Sequence, residues 1–124
     1  MRSGRSTVAT MFRALGDDTR LQILVLLGKR EFCVCELVEL FGLSQSAISE
    51  HLRRLKDAGL AVDERRGMWV FYRLGDVLPE FVIQALQAAD LEPEVVERLR
   101  GLKPTVAVCA RAPQAQAAVL APAK

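Results

Sequence analysis

Residues 33–60 read CVCELVELFGLSQSAISEHLRRLKDAGL. Val34, Leu37, Val38 and Phe41 recur at helical spacing and predict a short helix over 34–41. Gly42 follows, a residue that tolerates positive φ at a helix end, and Leu43 is placed to pack back onto that helix. Ser44 is a good N-cap for a second helix, which Gly59 closes. Ile48, Leu52 and Leu55 form the i, i+4, i+7 stripe of a buried face. The opposite arc carries Gln45, Ser46, Ser49 and Arg53, with Arg54 and Lys56 toward its edges. A short helix, a glycine turn and a polar-faced second helix form the helix-turn-helix that lays a helix in the DNA major groove. An αα-hairpin that merely packs reads the same way over this stretch, so the flanks must decide.

Downstream, Ala61–Arg65 and Met68–Leu74 are β-rich runs around an Arg66-Gly67 turn, which predicts a hairpin. Directly after a suspected recognition helix, with Arg65 and Arg66 at its tip, this is the wing of a winged helix. The alternative is a hairpin that completes the core and leaves its arginines solvated. Charge favours the wing. Basic side chains lie over 44–74 (Arg53, Arg54, Lys56, Arg65, Arg66, Arg73), whereas acids dominate 75–100, although the whole chain carries only +2.

Upstream, a first helix is expected from about Thr7 to Leu15, ended by Gly16. A second, capped by Asp17, runs through Leu27 with Leu21, Leu24, Val25 and Leu27 as core candidates. A fifth helix is expected from about Val77 to Ala89, with Pro79 in its first turn, and Pro93 breaks or restarts it before Val95. The first and last helices carry apolar stripes without an evident partner inside so small a domain, and pairing across a twofold axis would bury both. The expected architecture is mainly α (α+β): a winged helix-turn-helix with five helices and a two-stranded wing, dimeric through its first and last helices. Residues 1–6 are expected to be a flexible N-terminus, 7–103 the DNA-binding and dimerisation domain, and 104–124 a flexible Ala/Pro-rich tail. No apolar run approaches the length of a membrane span, and Arg13, Asp17 and Asp18 interrupt any signal-peptide core, so a cytoplasmic protein is expected.

The chain has three cysteines, and in a cytoplasmic protein they remain thiols. Cys33-Val34-Cys35 is a candidate pair for one soft ion. Residues two apart on a regular helix point to opposite sides, so sharing an ion is expected to distort the first turn of the helix that feeds the reading head. A third ligand would close a trigonal pyramid around a lone-pair ion such as arsenite. Cys109, in the tail, is the remaining thiol. Read blandly, the pair is two small buried hydrophobes and Cys109 an uncommitted tail thiol. His51, the lone histidine, fits helix packing better than a metal or catalytic role. Nothing supports an enzyme, because no nucleophile, base and orienting group come together.

Four stretches together resemble the ArsR/SmtB family of metal-sensing winged-helix repressors. They are Ala14–Arg20 (ALGDDTR), Glu31–Leu37 (EFCVCEL), Leu43–Leu52 (LSQSAISEHL) and Gly67–Leu74 (GMWVFYRL), and the likeness runs from about residue 7 to 90. The C-V-C element is similar to that of the arsenic- and antimony-responsive members. The resemblance implies a homodimer on a palindromic operator, released when As(III) or Sb(III) binds cysteine thiolates. One departure stands out: the third cysteine of the best-known arsenic repressors falls at Val38 here. The third ligand is then Cys109, a water-derived oxygen, or none. Cadmium and lead sensors add thiols from an N-terminal arm, and this chain has no cysteine before Cys33. Zinc sensors use histidine on the fifth helix, where this chain has none. Candidate DNA-binding residues are Ser44, Gln45, Ser46, Ser49, Arg53, Arg65 and Arg66; candidate metal ligands are Cys33, Cys35 and Cys109. Alternatives are a repressor answering cadmium, lead or thiol oxidation, and a winged-helix interaction module with structural cysteines.

Overall fold

The computed structural model describes residues 4–103, in the order α1 (Gly4–Leu15), α2 (Asp18–Leu27), β1 (Phe32–Cys33), α3 (Val34–Phe41), α4 (Gln45–Asp57), β2 (Ala61–Arg66), β3 (Trp69–Leu74), α5 (Glu80–Ala88) and α6 (Pro93–Gly101). Helix α2 is the axle of the core. Asp17 caps it by accepting the Arg20 N–H at 3.1 Å, and every side chain from Gln22 to Leu27 is buried. Such all-round burial suits a helix packed on several sides, and α2 touches α1, α4, α5 and β3.

The helix-turn-helix forms where the sequence places it. Gly42 lies at φ +66° and donates to the Val38 carbonyl at 2.9 Å, a left-handed cap that an L side chain adopts only with strain. The Ser44 hydroxyl accepts the Ala47 N–H at 3.1 Å and starts α4, whose Ile48, Leu52 and Leu55 are fully buried. Leu43 does not pack back as expected; it sits among the exposed large hydrophobics. After α4, strands β2 and β3 pair in antiparallel register from Ala61↔Leu74 to Arg66↔Trp69. Gly67 at φ +63° and Met68 at negative φ close the hairpin in the pattern of a type II′ turn, whose twist suits the strands it joins.

Two counts differ from expectation, each for a local reason. The sheet has three strands in the order β1-β3-β2, because Phe32 and Cys33 extend and pair with Tyr72 and Phe71. The described residues form six helices: Ala89 leaves helical geometry at ψ 148°, and Pro93 at the first position starts α6. Helix α5 also begins later than expected, at Glu80, with Pro79 as its N-cap and Val77 out in solvent. Helix α6 is fixed at both ends. The Glu92 N–H donates to the buried Gln22 side chain at 2.8 Å, and Arg98 donates to the Leu40 carbonyl at 3.0 Å, bracing the C-terminus of α3 beside Gly42.

Helix α1 begins at Gly4, earlier than expected. Its Phe12 stacks on Phe81 of α5 with ring centroids 4.7 Å apart, yet Phe12 and Val8 remain largely exposed. The two helices therefore share one incompletely covered apolar face. No helix among the described residues is long and apolar enough to cross a membrane. The expected tail, Cys109 included, lies outside the described residues.

Candidate thiol site and nucleic-acid interface

Cys33 is the hinge between strand and helix. Its backbone is extended (φ −86°, ψ 161°) and it serves as N-cap of α3, while Cys35 lies one residue inside the helix. This corrects the expectation that sharing an ion must unwind α3. With Cys33 outside the helix, the opposed-sides rule for residues two apart no longer applies, and the sulfurs stand 3.0 Å apart while Val34–Phe41 stays helical. Two metal–sulfur bonds of about 2.3 Å span about 3.0–3.5 Å when they meet at about 80–100°, against about 3.8 Å at a tetrahedral angle. The pair as built suits a pyramidal ion better than a tetrahedral one. Cys33 is buried and Cys35 exposed, so Cys35 is the sulfur open to solvent.

Two acid–base pairs bracket the cysteines, and sequence reading missed both acids. Glu36, fully buried, accepts the Cys33 N–H at 3.0 Å and bonds from the two terminal nitrogens of the Arg30 guanidinium at 3.3 Å. Arg30 also donates to the Glu31 carbonyl at 2.6 Å and lies over the Phe32 ring. On the other side Glu31, 2% exposed, accepts two bonds from Arg66 at 2.6 and 3.0 Å. Arg66 reaches Glu64 as well and covers the Phe71 ring, and these carboxylates hold its guanidinium above its ordinary pKa. Arg66 was expected at the wing tip facing DNA. It instead turns back along the sheet and fastens the wing to the segment carrying Cys33. A glutamate beside a cysteine reads from sequence as a solvated charge, so only the long-range pairing with β2 and β3 reveals Glu31.

Beside the sulfurs is a cleft of about 310 Å³ lined by Cys33, Val34, Cys35, Val38, Gln45, Met68, Trp69 and Val70. It joins three elements: the thiol pair, the first residue of α4, and the wing turn. Among the described residues, no third His, Cys, Asp or Glu completes a group that could hold a metal ion. A larger cleft of about 570 Å³ is lined by Thr10, Arg13, Ala14, Arg20, Arg53, Arg54 and Asp57. Four arginines dominate its lining, beside one carboxylate, and no thiol or imidazole among the described residues lines it to suit a soft ion.

The polar arc of α4 faces solvent, with Ser44, Gln45, Ser46 and Ser49 all exposed. Arg53 is exposed too but lies along its own helix, bonded to Glu50 at 2.6 and 3.2 Å and to Asp57 at 3.2 Å. The hydrogen bond to Glu50 is the main reason its pKa stands above the ordinary value. Exposed pairs of this kind exchange partners at little cost, so they leave Arg53 available to a phosphate. Arg65 is exposed opposite Val70 near the wing tip. His51 is half-buried with Nδ1 3.3 Å from Arg20 and 4.0 Å from Asp17, a packing histidine at the α2–α4 contact.

The description "Bacterial regulatory protein, arsR family" matches residues 17–62, from the cap of α2 to the start of the wing. A cadmium resistance transcriptional regulatory protein, a CadC homologue of Staphylococcus aureus, is 39% identical over 90 residues, covering 72% of either chain. The chain belongs to the ArsR family. The matching model describes regulatory proteins and this relative is a transcriptional regulator, so this member is a regulator and not an enzyme. An arsenic resistance transcriptional regulator of Pseudomonas putida is 44% identical over 77 residues, which span 61% of this ArsR-family chain and 60% of that relative. Among solved structures, a homodimeric winged helix-turn-helix DNA-binding domain from Mycobacterium bovis superposes with a TM-score of 0.57 at 31% identity, over 68% of this chain and 81% of that one.

Proposed function

We propose that this ArsR-family regulator is a repressor that holds a palindromic operator as a homodimer and releases it when As(III) or Sb(III) binds Cys33 and Cys35. The observation that carries the reading is the sulfur pair itself, 3.0 Å apart in a cleft that also contains the start of α4 and the turn of the wing. The arsenic resistance regulator of Pseudomonas putida supports the choice of ion. The relation to a cadmium resistance regulator keeps cadmium as a competing inducer, although a tetrahedral site would want the sulfurs farther apart.

In this reading the N-terminal turn of α4 enters the major groove. Gln45, Ser46 and Ser49 meet base edges, Ser44 and Arg53 meet phosphate, and Arg65 at the wing meets the flanking backbone. Dimerisation covers the exposed Val8 and Phe12 of α1 with the adjoining face of α5, which sets two recognition helices one DNA turn apart. The third position on arsenite falls to Cys109 or to a water-derived oxygen. Such a protein works in the cytoplasm, where its operator is.

The coupling needs no unfolding of α3. An ion on the two sulfurs occupies the space between Gln45 and residues 68–70, and so biases how α4 and the wing sit relative to α3. A coupling of about 1–3 kcal/mol, or 5–150-fold in operator affinity, is the ordinary range for such a device. The test is fluorescence anisotropy of a labelled operator fragment titrated in parallel with arsenite, antimonite and cadmium. Arsenite and antimonite are expected to release wild-type protein, and Cys33→Ser and Cys35→Ser are expected to stay bound. Release of both variants by arsenite would overturn the reading.

A further inference from the structure

The larger cleft collects guanidiniums from three helices: Arg13 of α1, Arg20 of α2, and Arg53 and Arg54 of α4. Neutral acceptors hold Arg20. Its Nε donates to the Ala14 carbonyl at 2.9 Å and its Nη2 to the Arg13 carbonyl at 3.3 Å, which positions the charge without cancelling it. Glu50 shares one oxygen between Arg53 at 2.6 Å and Arg54 at 3.1 Å, Asp57 accepts from Arg53 at 3.2 Å, and Asp17 feels the charge of Arg20. The four cations outnumber these acids, and the Glu50 and Asp57 pairs are exposed, so they exchange partners at little cost. A guanidinium fork matches the oxygens of a phosphate. Thr10 and Ala14 complete the described lining, and no aromatic ring there would stack a base, so the cleft suits a backbone phosphate better than a nucleotide.

Its place in the fold points the same way. At about 100° per residue, Arg53, Arg54 and Asp57 lie opposite the buried Ile48, Leu52 and Leu55 and continue the exposed arc of Ser46 and Ser49. Gln45 and Lys56 flank α4 on the wing side, the first in the thiol cleft and the second bonded to Asp63 of β2 at 3.1 Å, so the arginine cleft is on the other flank. From Gln45 to Arg53 the helix rises about 12 Å, close to the width of the major groove, which brings the arginines to a bordering strand when Gln45 meets base edges. On α1, Thr10, Arg13 and Ala14 lie opposite Val8 and Phe12, so a second protomer covering those two leaves the cleft open. We propose that this cleft holds a phosphodiester of the operator on the side of α4 away from the wing, with Arg13 and Arg54 as its ligands beside Arg53. The proposal rests on the DNA-binding part of the proposed function, and it gives α1 a direct part in fixing the register of α4 on the duplex.

The experiment measures full-length wild type, Arg13→Gln and Arg54→Gln by anisotropy on labelled operator over a range of salt. It then repeats the measurement on operators with a neutral methylphosphonate at one backbone position of each half-site. One phosphate contact contributes about 0.9 to the log–log salt slope, so its loss weakens binding about sixfold more per half-site at about 0.05 M than at about 0.4 M salt. Both variants should show that loss on every DNA sequence. One methylphosphonate position should cost wild type as much and cost Arg13→Gln nothing further. Additive losses at every position would overturn the inference even if wild type binds the operator and arsenite releases it, because a lowered slope alone then reports charge acting at a distance. Titration with inorganic pyrophosphate in the absence of DNA covers the other source of the same chemistry. Pyrophosphate binding abolished by Arg13→Gln, with no coupled position on the operator, would assign the cleft to a soluble anion and overturn the inference. Wild type without salt-dependent operator binding would overturn it together with the repressor assignment.

Discussion

Replacing Arg66 by alanine separates a side chain that builds the wing from one that touches DNA. Arg66 donates two bonds to Glu31, at 2.6 and 3.0 Å, and Glu31 is 2% exposed. Removing one partner of a buried pair strands the other charge, which costs about 3–5 kcal/mol when fully shielded. The Arg66 side chain is 22% exposed, so water entering from the wing side will screen the orphaned carboxylate, and a loss of about 2–3 kcal/mol is expected. In urea, at fixed protomer concentration because subunits associate by mass action, that lowers the unfolding midpoint by about 1–3 M. Replacing both partners, Glu31→Gln with Arg66→Met, should recover most of the loss, since neutral groups of similar volume leave no buried charge. Unfolding of Arg66→Ala within about 0.5 kcal/mol of wild type, together with weaker binding to every DNA sequence, would refute the argument and return Arg66 to the phosphate backbone.

Other substitutions test other parts of the account. Leu52→Ala, at a fully buried position of α4, should cost about 2–5 kcal/mol in the same urea assay. Gly42→Ala should cost about 1 kcal/mol or more, because φ is +66° there and a Cβ would lie 3.2 Å from Arg98. Gln45→Ala should alter sequence preference by about 1–3 kcal/mol in competition binding, with little change in stability. Asp17 is partly desolvated, which pushes its pKa up, but the Arg20 backbone N–H and the Arg20 and His51 charges prevail and hold it below the ordinary carboxylate value. The stability it adds is therefore present above the unfolded-state pKa and lost as pH falls through the folded one. Asp17→Ala should cost about 1 kcal/mol at neutral pH and progressively less in acid, read from denaturation at several pH values.

The reading head was legible because its signals are local. Gly42 sits where a left-handed residue was needed, Ser44 caps, and the Ile48, Leu52 and Leu55 stripe is buried. The thiol site was only half legible. The C-x-C spacing announced a pair, but helical periodicity does not say where a helix begins. A two-residue strand is too short to show a period of two, so the extended geometry of Cys33 comes from its pairing with Phe71, thirty-eight residues away. For the same reason the buried face of α3 adds Glu36 and Leu40 to the expected Leu37, while the expected Val34, Val38 and Phe41 are only partly buried. Glu31 and Glu36 were invisible because an acid is buried only when a distant cation meets it, and here Arg66 and Arg30 do. Met68 and Trp69 read as wing residues; their place beside the sulfurs follows from the β1-β3 pairing.

Amide hydrogen exchange of the operator-free protein, with and without saturating arsenite, tests most directly whether the thiol pair grips its ligand from a preformed strand–helix junction. The amides of residues 38–42, which close the hydrogen bonds of α3, should keep or increase their protection, while changes concentrate at residues 45–49 and 66–71. Loss of protection across α3 on adding arsenite, with the start of α4 and the wing unchanged, would contradict the account.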